Sequence, residues 1–305
     1  MPESHGLGPP TVTPAALVPF FWLAAHAPRI VRGIQPLATC LVPLVSGTAR
    51  AQTRRNALRI FGRALGRPEQ RAFTRDVVNS FYEFVIDIGQ SSRESVDQLL
   101  ARIERVEGEG AYRSLRIQGR GTVLVTAHMG SFEVGLAALK RVEQRVHVVY
   151  KRDVTRTFES MRAKMRQTLG IIEAPIDGGL STWMSLRDAL LNGDVVVMQA
   201  DRAMPGQKSA VVPFLHGHLR IPTGAVRLAR LTGSPIVPVC TVRLASGRFA
   251  IHLHPAIEPG RSGDIPDSND PTVLAVGKAI ESMVATNPTQ WLVLGAAFEE
   301  DVGHV

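Results

Sequence analysis

Cysteine is scarce in this chain of 305 residues: Cys40 and Cys240 stand far apart, with no metal or redox spacing. The economical reading is a reduced, cytosolic setting, with a lone disulfide between the two as the alternative. Nucleotide and nucleophile signatures are missing as well. No GxGxxG, Walker loop or GxSxG occurs, which argues against dinucleotide, nucleoside triphosphate and serine hydrolase chemistry. Aromatic residues make up 6% of the chain, few for a protein that stacks on bases. There is no internal repeat and no low-complexity tract. The opening MPESHGLGPP lacks the basic start of a secretory signal, which disfavours export by that route.

Long apolar runs are lacking too. The stretch ALVPFFWLAAHAPRIVRGIQPLATCLVPLV is rich in apolar residues but is broken by Pro19, Pro28, Arg29, Arg32, Pro36 and Pro43. It falls short of the roughly 18 uninterrupted residues of a clean membrane span. Two readings stand: short segments docking on a bilayer interface, or a buried cap on the main domain. Acidic residues are almost absent from the next part. Between Arg29 and Arg75 only Glu69 is acidic, against arginines at 29, 32, 50, 54, 55, 59, 63, 67, 71 and 75. Arg55, Arg59 and Arg63 would share one helical stripe beside Leu58, Phe61 and Leu65, a face suited to anionic lipid or to ordinary solvation. Pro68 is expected to end this helix, and another, around 70–89, carries a core stripe of Val77, Val78, Phe81, Phe84, Val85 and Ile88. A net charge of +8 implies an anionic partner: nucleic acid, an acidic membrane surface or an acidic protein.

With 45% hydrophobic residues the chain can bury a sizeable core. From residue 121 short β-branched runs alternate with helical segments. TVLVTA (122–127), VHVVY (146–150), GIIEA (170–174), VVVMQA (195–200), PIVPVCTV (235–242) and FAIHLH (249–254) read as strands. SFEVGLAALKRV, RTFESMRAKMRQTL, STWMSLRDALLN and TGAVRLARLTG read as helices, with Ser181 or Thr182 and Thr223 as caps. This alternation predicts an α/β fold with a central, largely parallel (mixed) sheet flanked by helices, preceded by an N-terminal helical, membrane-associating segment. The division is an apolar segment over 1–49 and a main domain over 50–305. PGRSGDIPDSND (259–270) reads as a surface loop before a last helix over about 271–286.

In such sheets, sites collect at the carboxyl ends of strands, and TAHMGSFEVG places His128 at one. On a continuous helix, His128 and Glu133 would point about 140° apart. If His128 ends a strand and Glu133 lies in the first turn of the next helix, the carboxylate can fold back onto Nδ1, leaving Nε2 as a base. Gly130 permits the tight turn, and the helix start offers backbone N–H groups for developing negative charge. A structural histidine is the alternative. His216 with His218, and His252 with His254, have period-two spacing but no carboxylate or cysteine at metal-ligand spacing, so no metal site is expected.

The ordered blocks GTVLVTAHMGSFEVG, YKR (150–152), MRQTLG (165–170), DVVVMQADR (194–202), VVPFLHGHLRIPTGAVRLARLTGSPIVPV (211–239) and NPTQW (287–291) resemble the lysophospholipid acyltransferase superfamily. Within it, the chain is most similar to the bacterial lipid A lauroyl and myristoyl acyltransferase branch, over about residues 50–292. The resemblance implies His128 and Glu133 as the catalytic pair of an HX4E motif, in an acyltransferase-like fold. It implies acyl transfer from acyl carrier protein or coenzyme A to a hydroxyl of a lipid A precursor, glycolipid or lysophospholipid. No cofactor and no nucleic acid are implied. The basic positions Arg152 and Arg166 become candidates for anionic donor groups, and Asp201 and Arg202 either face the same cleft or pair with each other. The implied location is the cytoplasmic face of the bacterial inner membrane, peripheral or weakly inserted. The chain departs from the family in its broken N-terminal segment, in Phe214-Leu215-His216 where a glycine is usual third, and in lacking an Arg-rich ending. Two other classes compete: a thioesterase in which His128 activates water, and a non-catalytic basic nucleic-acid-binding protein.

Overall fold

A computed structural model describes residues 14–151, 156–204, 206–260, 265–293 and 295–301. The helices are α1 (Pro14–His26), α2 (Pro28–Val45), α3 (Gly47–Phe61), α4 (Arg67–Ser91), α5 (Val96–Ala101), α6 (Glu109–Arg116), α7 (Phe132–Val142), α8 (Arg156–Thr168), α9 (Gly179–Leu191), α10 (Gly224–Thr232) and α11 (Pro271–Thr286). The strands are β1 (Ile103–Glu107), β2 (Thr122–Thr126), β3 (Val146–Tyr150), β4 (Ile172–Pro175), β5 (Val195–Gln199), β6 (Ser209–Phe214), β7 (Gly217–Pro222), β8 (Ile236–Arg243) and β9 (Phe249–Leu253). All six expected strands form. Strand β1 and the β6–β7 hairpin were not expected, because neither shows a buried β-branched run.

Seven strands form one sheet in the order β1-β9-β8-β2-β5-β3-β4. Strands β8, β2, β5, β3 and β4 run parallel, whereas β9 is antiparallel to β8 and parallel to β1. The alternation expected from the sequence therefore yields the mixed, largely parallel sheet. Its central strands are buried on both sides: one core contains Val123, Val125, Val196 and Met198, the other Leu124, Val195, Val197 and Val237. That two-sided burial explains why these strands read as continuous apolar runs.

Helix boundaries differ from expectation where local chemistry overrides pattern. Gly62, at φ 65°, ends α3, and Pro68 opens α4 in its first turn, where its missing N–H costs nothing. Helix α9 begins at Gly179 rather than after Ser181 or Thr182. Thr223 holds the cap position of α10, but its hydroxyl donates to Lys208 O instead. Helix α2 runs through Pro36 and Pro43 as a single element.

Helices α1 and α2 pack against α4: Tyr82 Oη donates to Val31 O at 2.8 Å, and Gln35 Nε2 to Asn79 Oδ1 and Glu83 Oε1 at 2.8 and 2.7 Å. The other face of α2 exposes Ile30, Ile34, Leu37, Leu41, Leu44 and Val45 at helical spacing. No single described helix is long and apolar enough to cross a membrane; α2 and α3 pass that test only as a pair bent by 88°. Of the expected basic stripe, Arg59 pairs with Asp301, while Arg63 lies beyond α3 and pairs with Glu69.

The hairpin docks on the rest of the chain through its turn. His216 lies over Gly62 and donates its N–H to Arg59 O at 3.0 Å. Leu215 holds φ 54°, a conformation costing a non-glycine residue roughly 1–2 kcal/mol. Beneath it, Phe214 is fully buried against Trp291 and Phe298. Truncating Phe214→Ala is expected to cost about 3–5 kcal/mol, read as a lowered midpoint in chemical denaturation.

Candidate active site

Strands β2 and β5 pair in parallel register, with Thr126 opposite Gln199. Two residues beyond each strand end stand His128 and Asp201, so the register itself sets them face to face. His128 Nδ1 lies 2.7 Å from Asp201 Oδ1, and the His128 backbone N–H donates to Asp201 Oδ2 at 3.1 Å. Trp291 Nε1–H donates to the same Oδ2 at 2.9 Å.

Burial works most strongly against ionising the Asp201 carboxyl. It is outweighed by the His128 charge and by hydrogen bonds from the His128 ring, the Trp291 indole and the His128 N–H, which together bring the pKa down to about 2. Asp201 is therefore an acceptor only, so Nδ1 carries the proton. At the other ring nitrogen, Arg202 Nη2 lies 3.4 Å from Nε2. A guanidinium can only donate, so Nε2 presents its lone pair. The pair thus holds a single tautomer, with its basic nitrogen facing a cationic, exposed side chain.

Glu133 takes a different place from the one expected. It is buried in the first turn of α7, with Arg162 Nε of α8 at 3.6 Å from Oε1. Burial raises its pKa and Arg162 opposes the rise. Neither carboxylate oxygen has a hydrogen-bond partner among the described residues. The expected fold-back onto Nδ1 fails for a geometric reason. Gly130 at φ 54° and the Ser131 cap turn the chain into α7, so that Glu133 faces α8 while the histidine faces β5.

The other candidates divide similarly. Arg166 is 2% exposed, bonded to Glu159 at 2.6 Å and Glu173 at 2.5 Å and stacked on Tyr150 at 4.1 Å, so an anion would have to displace two carboxylates. Asp201 and Arg202 do not pair with each other; both address His128, on opposite ring nitrogens. Arg152 lies outside the described residues. His218 pairs with Glu300 and His252 with Glu107, at 2.8 Å each, and His216 sits in the hairpin turn. Sequence reasoning missed Trp291 as a contributor to the site. Its only sequence signal was a place in the NPTQW block.

Two cavities flank the loop that carries His128. One of about 440 Å3 lies beneath α7, lined by Leu124, Met129, Phe132, Leu136, Val197, Val239 and Ile251, with Arg105, Arg113 and Arg141 among its polar lining. Its size falls in the range of about 300–1,000 Å3 usual for small-molecule sites. The other, of about 280 Å3, reaches Gly130 and is lined by Asn79, Ser80, Glu83, Asp87, Arg243 and Gln290. Gly130 is packed against the backbone, and a Cβ there would fall 1.8 Å from Thr241 O. Replacing Gly130 with alanine is expected to destabilise the protein by more than about 2 kcal/mol, measured as a drop in melting temperature.

The family model for the bacterial lipid A biosynthesis acyltransferases matches residues 16–299. No curated protein sequence matches the chain significantly.

Proposed function

Because this chain belongs to the bacterial lipid A biosynthesis acyltransferase family, we propose that it moves a fatty acyl chain from a thioester to a hydroxyl of a lipid A precursor, glycolipid or lysophospholipid. As a member, it is an acyl-group transferase of lipid biosynthesis. The observation that carries the finer reading is the single-tautomer His128, held by buried Asp201 on a loop whose next residues, Met129 and Gly130, line an apolar and a polar cavity.

In this mechanism the acceptor hydroxyl binds at Nε2, which removes its proton as the oxygen attacks the thioester carbonyl carbon. The tetrahedral intermediate then collapses: the carbon–sulfur bond breaks, the new ester remains, and His128 returns the proton to the departing sulfur. No enzyme nucleophile is required, because the acceptor itself attacks. Asp201 stabilises the imidazolium formed midway. Arg202, beside Nε2, supports the negative charge that develops on the carbonyl oxygen or a phosphate of the donor. The apolar cavity, one residue beyond His128 at Met129, suits the acyl chain; the polar cavity suits the acceptor headgroup. The HX4E motif is retained in altered form: Glu133 braces α8 through Arg162, and Asp201 takes Nδ1.

The donor in this reading is acyl carrier protein or coenzyme A, drawn by the basic surface. The protein would work at the cytoplasmic face of the bacterial inner membrane. Support comes from the exposed apolar stripe of α2, flanked by exposed Arg29, Arg32, Arg50 and Arg54, the pattern of an interfacial helix.

Mass spectrometry of a bacterial lipid extract incubated with the protein and a set of acyl thioesters tests the chemistry. A new acylated lipid is expected with the wild type and none with His128→Ala. Asp201→Asn should lose about 10³–10⁴ of the rate, as when a histidine base loses its tautomer, and Glu133→Gln should lose less. Free fatty acid as the sole product would instead identify a thioesterase. Flotation with vesicles checks the surface: binding is expected to anionic but not to zwitterionic vesicles, and to be lost in a Leu37→Glu/Leu41→Glu variant.

A further inference from the structure

Trp291 has a place in the fold that packing alone does not explain. Its ring is 3% exposed, set against Phe214 at 5.7 Å and edge-on to Phe298 at 6.1 Å. Burial in this cluster accounts for an aromatic ring but not for the N–H that the indole carries. The indole edge, however, is turned out of the cluster and gives its N–H to Asp201 Oδ2. The backbone around it is tied to the same loop. Met129 and Trp291 form an antiparallel bridge, and Leu292 N–H donates to His128 O at 2.7 Å. Upstream, the Gln290 side chain makes two hydrogen bonds to the Arg243 backbone, both at 2.8 Å. The segment 290–292 thus clamps the histidine loop from the side opposite β5.

The carboxylate needs such a clamp. Asp201 Oδ1 serves Nδ1, while Oδ2 receives the His128 N–H and the indole N–H. With the side chain fully buried, no solvent is available to replace a lost donor. The longer 3.1 Å bond from the His128 backbone would then be the one donor left to Oδ2 among the described residues.

We propose that Trp291 is a positioning residue that fixes the Asp201 carboxylate through its indole N–H and thereby holds the His128 ring in its Nδ1–H tautomer. The assignment rests on the reading of His128 as the general base, but the contact chain can be tested without any acyl substrate. In ¹⁵N-labelled wild-type protein, the Trp291 Nε1–H resonance is expected to move with the midpoint of the His128 imidazole, and to stop doing so in His128→Ala. Trp291→Phe, which keeps an aromatic ring in the cluster, is expected to speed solvent exchange of the His128 Nδ1 proton by about tenfold, the effect of one lost hydrogen bond. An indole resonance that stays flat through the imidazole titration would overturn the proposal. So would unchanged Nδ1–H exchange in a folded Trp291→Phe protein. If that variant does not fold, the wild-type indole titration decides alone. Coupled resonances in a protein that transfers no acyl group would keep the positioning role and refute only the catalytic reading.

Discussion

Everything at this site depends on the parallel pairing of β2 with β5. Thr126 opposite Gln199 leaves each chain two residues to travel before it exits the sheet, and those second residues are His128 and Asp201. Ladder hydrogen bonds between buried strands resist slippage, because a one-residue shift would turn every core side chain to the wrong face. The sheet therefore holds an imidazole and a carboxylate at 2.7 Å with no flexible element between them. Burial alone would favour a neutral Asp201, and the donors around it reverse that preference. An anion kept in a solvent-free place by fixed hydrogen bonds is what makes a neighbouring imidazole a directed base.

The loop between β2 and α7 then sorts the surroundings. Gly130, pressed against the backbone of Thr241, turns the chain so that Met129 and Phe132 line an apolar cavity while its own backbone borders a polar one. The two residues that follow the histidine thus border cavities of unlike lining. Glu133 leaves the loop in a third direction, to Arg162. The residues of one short motif thus reach the Asp201 carboxylate, an apolar cavity and the Arg162 guanidinium of α8.

Helices α1 and α2 follow a separate logic. Their inner faces satisfy polar groups on α4 through Gln35 and Tyr82. The outer face of α2 remains apolar, with Leu44 and Val45 at 68% and 79% exposure. The cap and the interface readings of this segment are compatible, since one helix presents two unlike faces.

Much of this was legible from residue order. Short β-branched runs and period-3.6 patterns located the six main strands, the helices between them and the last helix, and their alternation pointed to the α/β class. The HX4E spacing, with its neighbouring blocks, pointed to His128 and to acyl transfer, and the family match agrees on acyl transfer. The histidine's partner was not legible. Glu133 is five residues away and Asp201 seventy-three, and local spacing favours the near one. Which strand lies beside β2 is settled by packing of the whole sheet, and only that adjacency brings Asp201 to Nδ1 and, from the far end of the chain, Trp291 to Asp201. By itself the sequence determined which residues could do chemistry, because residue type and local period are properties of short segments. The tertiary structure decided which of them meet, because pairing between distant strands is a property of the whole core.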